Sequence, residues 1–204
     1  MNTVEPIRDM AKVMDFADFL RVSSERDYVM FMFGIYSGLR IIDILGIKVK
    51  DVRGKEYIYL HERKTGKEKR FPIQEDLQEI LKEYIKNMKD HEYLFQSRQG
   101  KNRPLTRTRA WDILNKAAKE LNLDSIGCHT MRKTFGYFLY QQTKDILLIK
   151  DILNHADVGT TYRYIGLTGM QKDKAMKKLS FKRQAPGRKN DTNNKNNNSE
   201  FNKY

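Results

Sequence analysis

The chain holds a single cysteine, Cys128, in 204 residues. One thiol excludes an intramolecular disulfide framework and a cysteine-based zinc site. Long apolar runs are missing too. The longest, residues 28–36, is nine residues with Gly34 inside it, against the ~20 needed to cross a bilayer. The N-terminus, MNTVEPIRDM, carries acids and no apolar stretch of the secretory kind. These absences lead to the expectation of a soluble, cytoplasmic protein with no membrane association.

What the chain has is positive charge. Lys and Arg number 39 against 26 Asp and Glu, a formal net charge of +13. Such a balance favours a polyanionic partner, nucleic acid first; the plainer alternative is a soluble protein that happens to be basic. With 39% apolar residues, ten Phe and eleven Tyr, there is enough to bury a core, and wholesale disorder is excluded. The length suits one domain, or one domain plus a small appendage. Residues 182–204, KRQAPGRKNDTNNKNNNSEFNKY, are Asn- and Lys-rich and nearly empty of aliphatics, so a disordered basic tail is expected there. Residues 1–181 then form the domain.

Periodicity predicts a mostly helical α+β domain. Ile7, Met10, Ala11, Met14 and Ala17 stand at spacings of three and four, giving a helix over 7–20. Residues 25–36 are apolar nearly all round and read as a buried helix stopped by Gly38, with a short helix over 39–45. Tyr57–Leu60 and Arg70–Ile73 are β-prone runs around the turn Thr65-Gly66-Lys67, and 47–52 is the expected third strand of a small antiparallel sheet. Further helices are expected at 77–85, after an N-cap at Thr106, and over 130–142, 145–153, 159–164 and 171–179.

Four short stretches hold polar residues that packing does not require. Arg40 follows a glycine turn, with Asp43 three residues on and able to orient it; a surface ion pair is the plain alternative. Residues 63–70, RKTGKEKR, put five basic residues on a hairpin, suited to a phosphate or to blocking an exposed edge. His129 and Arg132 share a helix face, against the alternative of a core histidine and a surface arginine. A Cys128–His129 nucleophile pair is disfavoured because adjacent residues point apart. His155 to Tyr164 is polar and ends in two tyrosines, Tyr162 and Tyr164, whose ordinary use is half-buried packing. Together these stretches offer arginines, lysines, histidines and a tyrosine without a carboxylate cluster. That inventory suits reaction at a phosphodiester, where fixed cations stabilise charge on the non-bridging oxygens. A metal-dependent nuclease would group Asp and Glu around Mg²⁺.

The order S-G-L-R-I-I-D, R-K-T-G-K-E-K-R-F-P-I, H-T-M-R and L-N-H-A-D-V-G-T-T-Y-R-Y resembles the tyrosine recombinases, also called the phage integrase family. The resemblance runs from about residue 25 to 179, and four motifs in order make it specific. It implies a mostly helical catalytic domain with a small sheet. It implies catalytic roles for Arg40, Lys64, His129, Arg132 and His155, a nucleophile at Tyr164 with Tyr162 as its rival, and Asp43 in support of Arg40. Lys67 and Lys69 are the fallback lysines and, with Arg70, expected DNA contacts. Gly166 stands where many members have histidine. About 24 residues precede the match, where members usually carry a further helical domain; an excised catalytic domain or a short member, such as the fimbrial-switch invertases, accounts for that.

The implied activity is site-specific recombination of double-stranded DNA through a 3′-phosphotyrosine, with neither ATP nor metal. The implied assembly is a tetramer on DNA, with segment 171–179 packing on a neighbouring protomer, in a bacterial, phage or mobile-element setting. A non-catalytic DNA-binding module and a topoisomerase-like nicking-closing enzyme are the alternatives.

Overall fold

The structure is a computed structural model in which residues 4–61, 66, 68–166 and 176–177 are described. Contacts divide the chain into two units, Met1–Thr168 and Gly169–Tyr204. In the second, Met176 and Lys177 are helical; the rest of the expected helix at 171–179 and the expected tail at 182–204 lie outside the described residues. Among the described residues, no helix is long and apolar enough to cross a membrane.

The first unit is mostly helical, with one two-stranded antiparallel sheet. Helix α1 (Met10–Ser23) buries Val13, Phe16, Ala17 and Leu20, one stripe at helical spacing. It starts later than expected because the Asp9 side chain accepts from the Ala11 amide and caps it there. The residues before it run as a strap along a later helix instead. Glu5 N–H donates to the Ser125 carbonyl at 2.8 Å and Ile7 N–H to Thr134 Oγ1 at 2.9 Å.

Helix α2 (Glu25–Ser37) is buried nearly all round and packs on its neighbours through Phe16–Phe31, Phe33–Phe71 and Phe33–Phe95 ring contacts. Gly38 ends it in the left-handed region at φ +60°. A Cβ there would also lie 2.2 Å from the Phe135 ring, so both conformation and space demand glycine. The turn delivers Arg40 to the N-cap of α3 (Ile41–Ile44).

The expected third strand at 47–52 is not one. Val49–Asp51 forms a 3-10 turn, capped where the Lys48 amide donates to Asp51 Oδ2 at 2.8 Å. Its backbone pairs with residues 90–94, through Val49 N–H to Glu92 O and Leu94 N–H to Ile47 O. The apolar residues Ile47, Val49 and Val52 are buried, as alternation suggested. The hydrogen-bonding partner is a loop, and β1 pairs elsewhere. Strands β1 (Tyr57–His61) and β2 (Glu68–Pro72) pair in the register Tyr57↔Pro72 to His61↔Glu68.

The remaining helices follow the expected positions closely. They are α4 (Glu75–Tyr84), α5 (Arg107–Glu120), α6 (Cys128–Thr143), α7 (Ile146–Ile152) and α8 (Val158–Tyr164). Thr106 caps α5 by accepting from Arg109 N–H, and Asp145 and Asp157 cap α7 and α8. Helices α7 and α8 close on α6 around a small second core of Ile149, Leu153 and Ile165. Gly136 of α6 permits this approach, since a Cβ there would sit 2.8 Å from Ile165.

Candidate active site

Helix α6 supplies the centre of the site. Arg132 is buried, with 2% exposure, while His129, one turn earlier, is exposed. The plain alternative of a core histidine and a surface arginine is therefore reversed. A buried guanidinium must find acceptors. Arg132 donates from Nη1 to the Gly38 carbonyl at 2.6 Å and from Nη2 to the Leu153 carbonyl. It thereby ties the turn before Arg40 to the end of α7, just ahead of His155.

Tyr164 closes α8 and is half-buried beside α6. His129 Nδ1 lies 3.3 Å from its phenolic oxygen. The His155 ring meets the Tyr164 ring edge-on, with centroids 4.8 Å apart, and His155 Nδ1 lies 3.1 Å from Thr161 Oγ1. Burial raises the Tyr164 pKa, opposed by the charge of Arg132, its hydrogen bond, and the charge of Arg40. Both histidines shift downward. Partial desolvation of the ring comes first for each, at His129 even though the residue as a whole is exposed; Arg107, Arg132, Lys133 and Arg40 add to it at His129. At His155, burial, Arg132 and Arg40 outweigh Asp157 and bring the pKa to about 4. Arg40 thus acts on all three groups by its charge, from 89 to 124 positions away in sequence.

Asp43 is buried on α3, and its backbone N–H donates to the Arg40 carbonyl at 2.9 Å. Lys69 reaches in from β2, donating from Nζ to the Ile152 carbonyl at 2.5 Å; its charge also bears on His155. Arg70 stands on the other face of β2, with its guanidinium 3.9 Å from the centre of the Tyr57 ring. Lys64 and Lys67 lie outside the described residues. Tyr162 is half-buried on α8, two residues from Tyr164, and so points to another side of the helix. Cys128 is buried, its thiol pKa pushed up by burial, which suits packing and disfavours a nucleophile.

Sequence reasoning missed Lys133. It is 5% exposed, donates from Nζ to the Val4 carbonyl at 2.8 Å, and sits 5.2 Å from the centre of the Tyr164 ring. Its one signal was position: it is four residues after His129, on the same face of α6. Among the described residues, no three His, Cys, Asp or Glu side chains are grouped as metal ligands would be.

The group as a whole offers two guanidinium forks, a lysine, a tyrosine and neutral imidazoles within reach of one another's charge. Such a site can hold the oxygens of a phosphodiester and present an oxygen nucleophile to its phosphorus.

The family model described as Phage integrase family matches residues 7–169. The chain is 46% identical over 167 residues to the probable integrase/recombinase YoeC of Bacillus subtilis (strain 168), covering 82% of this chain and 92% of that protein. It is 27% identical over 176 residues to tyrosine recombinase XerA of Pyrococcus horikoshii, covering 85% of this chain and 60% of XerA. In fold it is similar to a crystal structure of XerA recombinase, with a TM-score of 0.71 at 19% identity, covering 88% of this chain and 66% of that one. It is also similar to XerH site-specific recombinase bound to difH substrate in a pre-cleavage complex, with a TM-score of 0.64 at 19% identity, covering 86% and 54%. The chain thus spans 92% of YoeC and between 54% and 66% of these Xer recombinases.

Proposed function

The chain belongs to the phage integrase family, and from that premise we propose that it is a site-specific DNA recombinase acting through a covalent 3′-phosphotyrosine. The observation that carries the reading is the meeting of Tyr164 with His129 at 3.3 Å beside the buried Arg132. The Tn1549 transposon integrase, of the same fold and in complex with transposon right end DNA, supports double-stranded DNA as the partner, as does the +13 net charge.

Tyr164 Oη attacks a backbone phosphorus as the P–O5′ bond breaks, leaving a 3′-phosphotyrosine and a 5′-hydroxyl. A free phenol has a pKa near 10, so only about one in 10³ is ionised at pH 7, and Tyr164 sits higher. A base is therefore needed during attack. His129 fills this role with Nδ1, which its lowered pKa keeps unprotonated at neutral pH. His155, tied to Thr161, holds the phenol ring edge-on. Arg40 and Arg132 take the non-bridging oxygens, and Asp43 supports the loop that carries Arg40. Lys64 protonates the leaving 5′-oxygen; Lys69, already at the rim, is the second reading for that proton. Lys67 and Arg70 add backbone phosphate contacts. The phosphotyrosine keeps the energy of the phosphodiester, so a partner strand's 5′-hydroxyl can reverse the step without ATP or metal.

Strand exchange needs several protomers. The fuller assembly in this reading is a tetramer on DNA, with segment 171–179 of one copy packing on the next, in the cytoplasm of a bacterium. Residues 1–181 act as the catalytic domain and 182–204 as a basic tail. The test is adduct formation on nicked duplex DNA at low salt, followed by exchange between two duplexes. Denaturation-resistant adduct in the presence of EDTA, with exchanged strands, is the expected result. Binding without adduct would contradict the reading, and adduct without exchange would favour a nicking-closing enzyme.

A further inference from the structure

Lys133 is a buried ammonium that the phosphodiester does not need. Burying such a charge is costly, and an apolar side chain would fill the space at less expense. What the lysine gains is two contacts on different parts of the fold. Its Nζ donates to the Val4 carbonyl at 2.8 Å, 129 positions away, and stands 5.2 Å from the centre of the Tyr164 ring. The strap that offers Val4 is itself fixed, by Glu5 N–H to Ser125 O and Ile7 N–H to Thr134 Oγ1. Arg8, in the same strap, holds Glu5 at 2.7 Å and donates to the Gly166 carbonyl at 3.3 Å, two residues past Tyr164. Tyr164 is therefore approached at its hydroxyl by His129, one helical turn before Lys133, and at its ring by Lys133.

We propose that Lys133, anchored by the Val4 carbonyl, is a positioning residue for Tyr164, fixing the phenol ring and favouring its ionised form. The inference rests on the reading of Tyr164 as the nucleophile. A cation near an aromatic ring is attracted to it, and more strongly to a phenolate, whose charge spreads over the ring. The Val4 bond keeps the ammonium from swinging out to water. The other charged or titratable groups facing this pair are Glu5 and Arg8 of the strap, His129 and Arg132 of α6, Arg40 before α3, and His155 ahead of α8.

Two variants separate charge from packing. Lys133→Gln keeps an N–H donor for Val4 and loses the charge, while Lys133→Met loses both. The full chain is labelled with 3-fluorotyrosine, and the Tyr164 fluorine resonance is assigned by its absence in Tyr164→Phe. The expected result is that Lys133→Gln melts close to the parent, ionises Tyr164 at higher pH, and forms adduct on nicked duplex about tenfold more slowly at pH 7. Its adduct rate approaches that of the parent at high pH, which a purely structural residue would not produce. Parent titration and parent adduct rate in Lys133→Gln would overturn the proposal. So would failure of Lys133→Gln to fold, which would make the lysine structural. If the parent protein itself forms no adduct, the nucleophile reading falls, and the fluorine titration still decides whether Lys133 tunes Tyr164.

Discussion

Arg132 donates to the carbonyl of Gly38 at 2.6 Å across 94 positions of sequence, and with its other terminal nitrogen to Leu153. One buried guanidinium thus holds the entry to Arg40 and the exit of α7 in one place. Arg132→Lys retains charge but not the fork that reaches both carbonyls. Loss of one fixed donor to a developing oxyanion costs about 10²–10³-fold in rate, and that is the expected fall in adduct formation. Arg132→Ala also strands two carbonyls. Each hydrogen bond to a charged group contributes roughly 1.5–3 kcal/mol, together about 3–6 kcal/mol, so its melting temperature should fall by on the order of 6–24 °C, measured by circular dichroism.

Gly38 and Gly54 form a paired test of the turn before Arg40. Both have positive φ, +60° and +64°, but a Cβ at Gly38 would meet Phe135 at 2.2 Å and one at Gly54 would meet nothing within 4 Å. Gly54→Ala should therefore cost only the conformational penalty, about 1 kcal/mol. Gly38→Ala adds overpacking, for a total of about 2–4 kcal/mol, and displaces Arg40. Urea unfolding of the two variants, with adduct assays, checks the contrast.

The depressed histidines set a pH window. His155 takes up its proton only near pH 4 in the fold, against about 6.5 when unfolded. Between those values the unfolded chain binds more protons, so stability must fall as pH drops from about 6.5 towards 4. Thermal melts at pH 7 and pH 4.5 should show this loss, and His155→Gln should reduce it. Adduct formation should show no histidine inflection near pH 6.5 and should rise towards alkaline pH, as the raised Tyr164 pKa requires.

The leaving-group proton distinguishes Lys64 from Lys69. A 5′-bridging phosphorothiolate releases a thiolate, which needs little help from an acid. Whichever lysine supplies the proton should be slow on ordinary DNA when changed to Ala and recover on the sulfur substrate. Lys64→Ala is expected to recover. Recovery by Lys69→Ala alone would move the role to β2, where Lys69 already meets the Ile152 carbonyl.

Much of this was legible in the sequence because local chemistry fixes local structure. The Thr106 cap, the Gly38 stop and the buried character of α2 came through directly. Residues 47–52 misled because alternation reports burial, and Ile47, Val49 and Val52 are indeed buried; it does not say whether the backbone partner is a strand or the loop at 90–94. The α6 spacing placed His129 and Arg132 together, but which one the core would cover depended on carbonyls at Gly38 and Leu153, set by distant turns. Lys133 escaped notice for the same reason, since Val4 reaches it only in the folded chain.

The central claim is that Tyr164 is the residue joined to DNA, and mapping the covalent adduct tests it most directly. The protein is incubated with nicked duplex, digested, and the modified peptide sequenced by mass spectrometry. The account predicts a nucleotide on Tyr164, no adduct from Tyr164→Phe, and undiminished adduct from Tyr162→Phe. Modification at Tyr162, or adduct persisting in Tyr164→Phe, would contradict it.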